Sequence, residues 1–283
     1  MERFFLLLMV FIFSRSHFKG SYRLALNIYS YKRSYFQRGV WLRKKYLDPA
    51  FDLEIYLFSK DLIDHKILFT GVYEPETNWA LQKYLRPGDV VLEAGANSGT
   101  ETVLISRLVG GHGGVIAFEP VDHVLEKLKN NLRLNSISNV EVLPIALGAR
   151  EQDIDFFVHP IDHPNQGMGS KSMNASLKKI VVTQKTIDSL IESKGIRKFD
   201  FLKMDVQGAE FDILMGSQIS IKRFTPKIFL EASEGWSNIK EIYDYLAGMN
   251  YKVFWLNPAC RLEEISISNL KEGNWLALPQ IKA

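Results

Sequence analysis

The chain has 283 residues, 46% of them apolar, enough to bury one large core with or without appendages. Its single cysteine, Cys260, excludes an internal disulfide framework and a cysteine-rich zinc site, and a reducing, intracellular setting is the simplest expectation. The net charge of +3 is unevenly split: residues 1–45 carry ten Lys or Arg and one acid, Glu2, which leaves 25 basic against 31 acidic residues in the remainder, a net of −6.

A basic arm on an acidic body points to a membrane or polyanion contact for the arm. The body lacks the basic surface that nucleic-acid binding requires. Residues 4–13 of the arm, FFLLLMVFIF, form an apolar run too short for a bilayer, which takes about 20 residues. Its length suits a signal-peptide core. However, Glu2 offsets Arg3, no small-x-small cleavage site follows, and basic residues come directly after it. Leu24, Leu26, Ile28, Tyr29, Tyr31, Tyr35 and Phe36 are then interleaved with basic residues, a mixture suited to the headgroup layer of an anionic membrane. A helix packed on the body is the alternative.

From residue 85 strands alternate with helices, the pattern of a doubly wound α/β sheet. Arg86-Pro87-Gly88-Asp89 is a turn, and Val90–Ala94 is an apolar strand interrupted by Glu93. Ser98-Gly99-Thr100-Glu101 matches a capping box, which predicts a helix bearing Val103, Leu104, Ile105 and Leu108. The glycines of 110–114 end that helix. A second strand at 115–118 closes on Glu119-Pro120, and a helix follows with Val121, Val124, Leu125, Leu128 and Leu132 on one face. A third strand is expected at Val140–Leu143, another at 154–158, and a polar loop over 159–179. A helix at 186–194, a strand at 199–204 ending at Asp205, and a helix at 207–214 closed by Gly216 come next. The pattern finishes with a strand at 227–230 ending at Glu231, a helix at 237–249, and paired strands at 251–256 and 275–278.

Ligands of open α/β sheets bind beyond the carboxyl ends of the strands. Four of those ends are acidic here: Glu93, Glu119, Asp205 and Glu231. A desolvated acid costs stability unless it is paired, so four together point to a site. The loop Gly95-Ala96-Asn97-Ser98-Gly99 is no P-loop, since Thr100-Glu101 follows where Lys-Ser/Thr is needed. Nor is it a dinucleotide fingerprint, because Asn97 stands at the second glycine and Glu93 repels a pyrophosphate. A ligand with a cation, a carboxylate and a ribose fits better. Glu93 would attract the cation, the helix N-terminus after Asn97 would donate to the carboxylate, and Glu119 would accept from both ribose hydroxyls. S-adenosylmethionine carries these groups.

Three stretches now resemble the FkbM family of methyltransferases: LRPGDVVLEAGANSG at 85–99, VIAFEP at 115–120 and FLKMDVQGAE at 201–210. Thr186-Ile187-Asp188-Ser189-Leu190 resembles the family's Thr-Leu-Asp stretch, and the likeness covers about residues 70–235. It implies a class I methyltransferase (Rossmann-like) fold, with a seven-stranded, mostly parallel sheet, one antiparallel strand and helices on both faces. It also implies S-adenosylmethionine as cofactor and O-methylation of a sugar hydroxyl in a glycan, glycolipid or secondary metabolite; with the basic, apolar arm set at 1–45, the methyltransferase domain is expected over 46–283. The expected cofactor residues are Glu93, Gly95, Asn97, Gly99, Glu119, Pro120 and Ala146, with no metal. The chain departs from the family twice: Glu93 replaces the usual Asp, and Gln207 replaces a Glu and cannot take a proton.

Methyl transfer to a hydroxyl needs the acceptor aligned and its proton removed. Asp205, supported by Glu210, is the first candidate base; His159 or His163 of the polar loop is the second. Trp79 or Trp236 is available to stack on a sugar ring. Two other readings stay open: a nucleotide-sugar or NAD-dependent enzyme, and a non-catalytic membrane-associated scaffold, for which Gln207 is the hint. The expected location is cytoplasmic, peripheral at the inner membrane face.

Overall fold

A computed structural model describes residues 41–46, 51–58, 61–159, 169–170, 177–233, 235 and 238–280. The rest, including residues 1–40 of the basic arm and His163, lies outside the described residues.

The chain enters through an antiparallel hairpin of β1 (Trp41–Tyr46) and β2 (Leu53–Phe58), followed by helices α1 (Leu62–Thr70) and α2 (Pro75–Tyr84). Then come β3 (Val90–Ala94), α3 (Thr100–Val109), β4 (Gly114–Phe118), α4 (Asp122–Leu134) and β5 (Val140–Leu143). A second, small sheet holds β6 (Ala146–Leu147), β7 (Gln152–Val158), β8 (Gly169–Ser170) and β9 (Lys178–Lys185). The chain returns through α5 (Ile187–Ser193), β10 (Phe201–Met204), α6 (Glu210–Met215), α7 (Gln218–Phe224) and β11 (Lys227–Ala232). It ends with α8 (Ile239–Gly248), β12 (Tyr251–Leu256), β13 (Leu262–Glu264) and β14 (Gly273–Pro279).

The large sheet runs β13-β12-β14-β11-β10-β3-β4-β5. Five neighbouring strands, β5, β4, β3, β10 and β11, are parallel, and β14 is antiparallel to both β11 and β12. The seven expected strands are therefore present with one inserted antiparallel strand, which is the class I methyltransferase arrangement. A short eighth strand, β13, is hairpinned onto β12. From β3 the chain winds outward through β4 and β5, then restarts at β10 and winds the other way. This puts the topological switch point between β3 and β10, where such sheets bind ligands.

The alternation of buried side chains explains how both faces are covered. Val91, Val115, Phe201 and Phe229 face Val103 and Leu104 of α3 and Leu125 and Leu128 of α4. Leu92, Leu202 and Ile228 face Ile187 and Leu190 of α5, Ile213 of α6 and Ile242 of α8. The β1–β2 hairpin is tied down by α4. Asn135 Oδ1 accepts from Glu54 N–H and Asn131 Oδ1 from Tyr56 N–H, both at 2.8 Å, so two amides satisfy the outer edge of β2. The boundary expected between residues 45 and 46 consequently falls inside β1, whose Tyr46 is buried in the main core.

Three local expectations change. The capping box does not form: Gly99 is the N-cap at φ 84° with no side-chain cap, and Ser98 N–H bonds Asn97 Oδ1 at 2.7 Å. The helix expected from 207 starts at Glu210, because Gln207 and Gly208 lie at positive φ, 51° and 106°. Part of the loop expected over 159–179 is strand, since β8 pairs with β7 at 169–170 and β9 begins at Lys178. Among the described residues no helix is long and apolar enough to cross a membrane.

Candidate active site

The loop after β3 is built by close backbone contact. Gly95 and Ala96 both donate to Phe118 O, at 3.1 and 3.0 Å, fastening the loop to the end of β4. Gly95 has φ 78°, and a Cβ there would sit 1.9 Å from Asp205 O, so only glycine fits between β3 and β10. Asn97 adopts φ 49°, a left-handed conformation that Asn tolerates better than most residues. A Cβ on Gly99 would meet Leu128 Cδ1 at 2.4 Å, so this glycine lets α3 start against α4.

Glu119, just beyond β4, is 5% exposed. Its Oε2 accepts from Asn97 N–H at 3.0 Å and its Oε1 from Val121 N–H at 2.9 Å. Burial raises its pKa to about 7, although the two amides favour the anion. Each oxygen keeps a free lone pair, which is what a pair of ribose hydroxyls requires. Pro120 follows directly and is partly exposed, while Ala146 lies buried in β6.

Beside this loop lies a lysine that the sequence reading passed over. Lys203, in the middle of β10, is 2% exposed and is the register partner of Glu93 on β3. Its Nζ stands 3.7 Å from Glu101 Oε2 of α3, 3.9 Å from Glu93 Oε1 and 3.9 Å from Asp205 Oδ2. Burial works to lower the Lys203 pKa, but Glu101, Asp205 and Glu93 outweigh it and the net shift is upward. Burial raises both Glu93 and Glu101, with Lys203 opposing. Glu93, expected to meet a ligand's cation, is instead fully buried against a cation of the chain itself. Residues 93 and 203 alternate onto the α3 face of the sheet, one layer below Gly95 and Asp205. Lys203 Nζ and Glu101 Oε1 make no hydrogen bond, so the cluster carries unspent polar capacity.

A third group comes from the turn before α2, which the motifs did not reach. Glu74 caps that helix at φ 45°, and Thr77 Oγ1 donates to its Oε2 at 2.8 Å. Burial, then Glu101 and Asp205, raise Glu74 to about 7. Burial, then Glu74 and Asp205, also raise Tyr73. Glu231 on β11 is exposed at the surface, yet partial desolvation and next Asp205 raise it to about 7. Asn274, its register partner on β14, donates to Thr77 Oγ1 at 3.3 Å. Asp205, Glu231 and Glu74 thus gather at the ends of β10 and β11.

Glu210 is 1% exposed and accepts from Val206 N–H at 3.2 Å and Gly208 N–H at 2.9 Å. It braces the loop that carries Asp205 and Gln207. Asp188, in the Thr-Ile-Asp stretch, accepts from Ser220 N–H and Oγ and from Ile219 N–H, clamping the start of α7 to α5. His159 follows β7 of the small sheet, away from the β3–β10 switch point in the sequence of elements.

The strand order, the glycine loop and the acid beyond β4 together define a class I methyltransferase. Residues 93–253, more than half of the chain, match the methyltransferase FkbM domain, and the chain belongs to that family. It is 22% identical over 205 residues to 2-O-methyltransferase NoeI of Sinorhizobium fredii, covering 62% of this chain and 80% of that protein. It is 29% identical over 130 residues to hexuronic acid methyltransferase AglP of Haloferax volcanii, covering 45% of this chain and 49% of that protein. The solved FkbM methyltransferase of Methylobacillus flagellatus superposes with a TM-score of 0.46 at 16% identity, over 91% of this chain and 60% of that one. The chain is therefore a methyltransferase, and S-adenosylmethionine is its cofactor. The residues fit that group: Gly95 lets the loop turn tightly against β10, and Glu119, held by two backbone amides, presents two free acceptors.

Proposed function

We propose that the chain transfers a methyl group from S-adenosylmethionine to a sugar hydroxyl, with Asp205 as the base. The observation that carries this reading is the division of the strand ends. Glu119 and the Gly95–Gly99 loop lie at β3 and β4, whereas Asp205, Glu231 and Glu74 lie at β10 and β11. One side suits a nucleoside and the other suits a hydroxyl-bearing acceptor.

Glu119 would hold the ribose hydroxyls, and the amides at the start of α3 the donor's carboxylate. Asn97 and Gly99 shape that cradle, and Pro120 and Ala146 complete the donor set. When bound, the donor supplies a methyl carbon already activated by its sulfonium. Asp205 takes the acceptor's proton while Glu210 holds its loop in place through two backbone amides. Glu210 thus supports Asp205 through the backbone, so the family's missing Glu at 207 is not required for this step. The names of NoeI and AglP, a 2-O- and a hexuronic acid methyltransferase, support an oxygen acceptor on a sugar.

The test is a panel of methyl glycosides, amines and carboxylic acids incubated with the protein and S-adenosylmethionine, followed by mass spectrometry. Methyl ethers on a glycoside, lost in Asp205→Asn, are expected. Methylation of amines alone overturns the reading. The basic, aromatic arm of residues 1–45 supports a peripheral contact with an anionic membrane surface at the cytoplasmic face. Fractionation with and without residues 1–20 tests it, and an intact protein found wholly in the soluble fraction counts against it.

A further inference from the structure

We propose that Lys203 sets the charge of the donor site, so that the chain tells the cationic methyl donor from its demethylated, neutral-sulfur product. The inference rests on the methyl-donor reading above and adds a discriminating residue to it.

Lys203 joins three elements. Its ammonium faces Glu93 of β3, Glu101 of α3 and Asp205 beyond β10, each at 3.7 to 3.9 Å. Those spacings exceed hydrogen-bond length, and Lys203 Nζ makes no hydrogen bond, so the coupling is one of charge rather than of fixed geometry. Glu74 adds a fourth carboxyl that acts on the same lysine. Among the described residues, Lys203 is the single cation in ion-pair contact with Glu93, Glu101 and Asp205. Carboxyls outnumber it, and in their ionised form they favour a positive ligand.

The cluster and the donor cradle share a wall. Gly95 lies so close to Asp205 O that a Cβ would come within 1.9 Å, and Glu101 sits in the first turn of the helix that the glycine loop feeds. Buried charges at such range are little screened by salt. The donor and its product have nearly the same shape and differ by one positive charge at sulfur. Their affinity ratio therefore reads the charge of the cluster. Lys203 moderates that ratio: its ammonium cancels part of the carboxyls' pull on the cation, which keeps the donor exchangeable.

The test is isothermal titration of the full chain with S-adenosylmethionine and with S-adenosylhomocysteine, at about pH 8. Lys203→Met should raise the preference for the cationic ligand by roughly tenfold, Glu101→Gln should lower it by a similar factor, and Lys203→Arg should keep it within about threefold. If a buried carboxyl in Lys203→Met takes up a proton and hides the effect, or if that variant fails to fold, Glu101→Gln decides the matter alone. A ratio unchanged within about twofold in Glu101→Gln overturns the proposal, because a lysine that only packs would shift both affinities together. If the unaltered chain binds neither ligand, the methyl-donor reading itself falls.

Discussion

The carboxylate of Glu119 and the amide of Asn97 meet at 3.0 Å, joining the end of β4 to the glycine loop that follows β3. That hydrogen bond adds to those of Gly95 and Ala96 with Phe118 O in shaping the loop, and it sets the acid at the position proposed for the ribose. The pKa of Glu119 is raised from 4.5 to about 7 by burial. Ribose binding calls for the anion, so affinity for S-adenosylhomocysteine should rise with pH through about 7 and level off above it. Titration calorimetry across that range checks this, and Glu119→Gln should flatten the profile. The stability effect has the opposite sense. The folded chain holds this proton more firmly than the unfolded chain, so its contribution to stability declines as pH rises from 4.5 to about 7.

Gly95→Ala should cost about 2 kcal/mol or more, because a Cβ at φ 78° meets the Asp205 carbonyl. Urea denaturation measures the loss. Donor binding should fall with it, since β3 and β10 must separate to admit the methyl group.

Asp188→Ala should destabilise the fold by about 1–3 kcal/mol while leaving S-adenosylhomocysteine affinity within about twofold. Asp188 lies in a stretch the family shares, yet its oxygens are spent on Ser220 and Ile219 at the start of α7. A large loss of ligand affinity at unchanged stability would instead mark it as part of the site.

Asp205→Asn should lower the rate of methyl transfer by roughly 10²–10⁴-fold with S-adenosylhomocysteine affinity nearly preserved, the signature of a lost base. Glu210→Ala should give a smaller rate loss together with a drop in melting temperature, since it frees two amides of the Asp205 loop. Equal rate losses in the two variants would argue that the loop, rather than the Asp205 carboxylate, is what catalysis needs.

Much of this architecture was legible in the sequence. The strands β3, β4, β10 and β11 are short apolar runs buried on both faces, and each leads into a glycine or an acid that the chain spells out openly. The family stretches lie on those same elements. What escaped notice depends on long-range contact. Lys203 looks like an exposed residue in Phe-Leu-Lys-Met until β3 and α3 place Glu93 and Glu101 beside it, although a lysine among the apolar Phe201, Leu202 and Met204 was a signal to follow. Glu74 and Tyr73 carry no motif and reach the site only because α2 begins against the strand ends. Strand β9 was hidden because half of its residues face solvent, with Val181 66% exposed and lysines at both ends. The capping box failed because Glu101 is drawn inward to Lys203 instead of back to its own helix.

The central claim is that the Gly95–Gly99 loop and Glu119 hold the methyl donor. Calorimetric titration of the chain with S-adenosylmethionine tests it most directly, with Glu119→Ala as the comparison and circular dichroism to verify the fold. The account predicts one donor bound per chain and an affinity at least about 100-fold weaker in the folded variant. No binding to the folded, unaltered chain, or equal binding by Glu119→Ala, would contradict it.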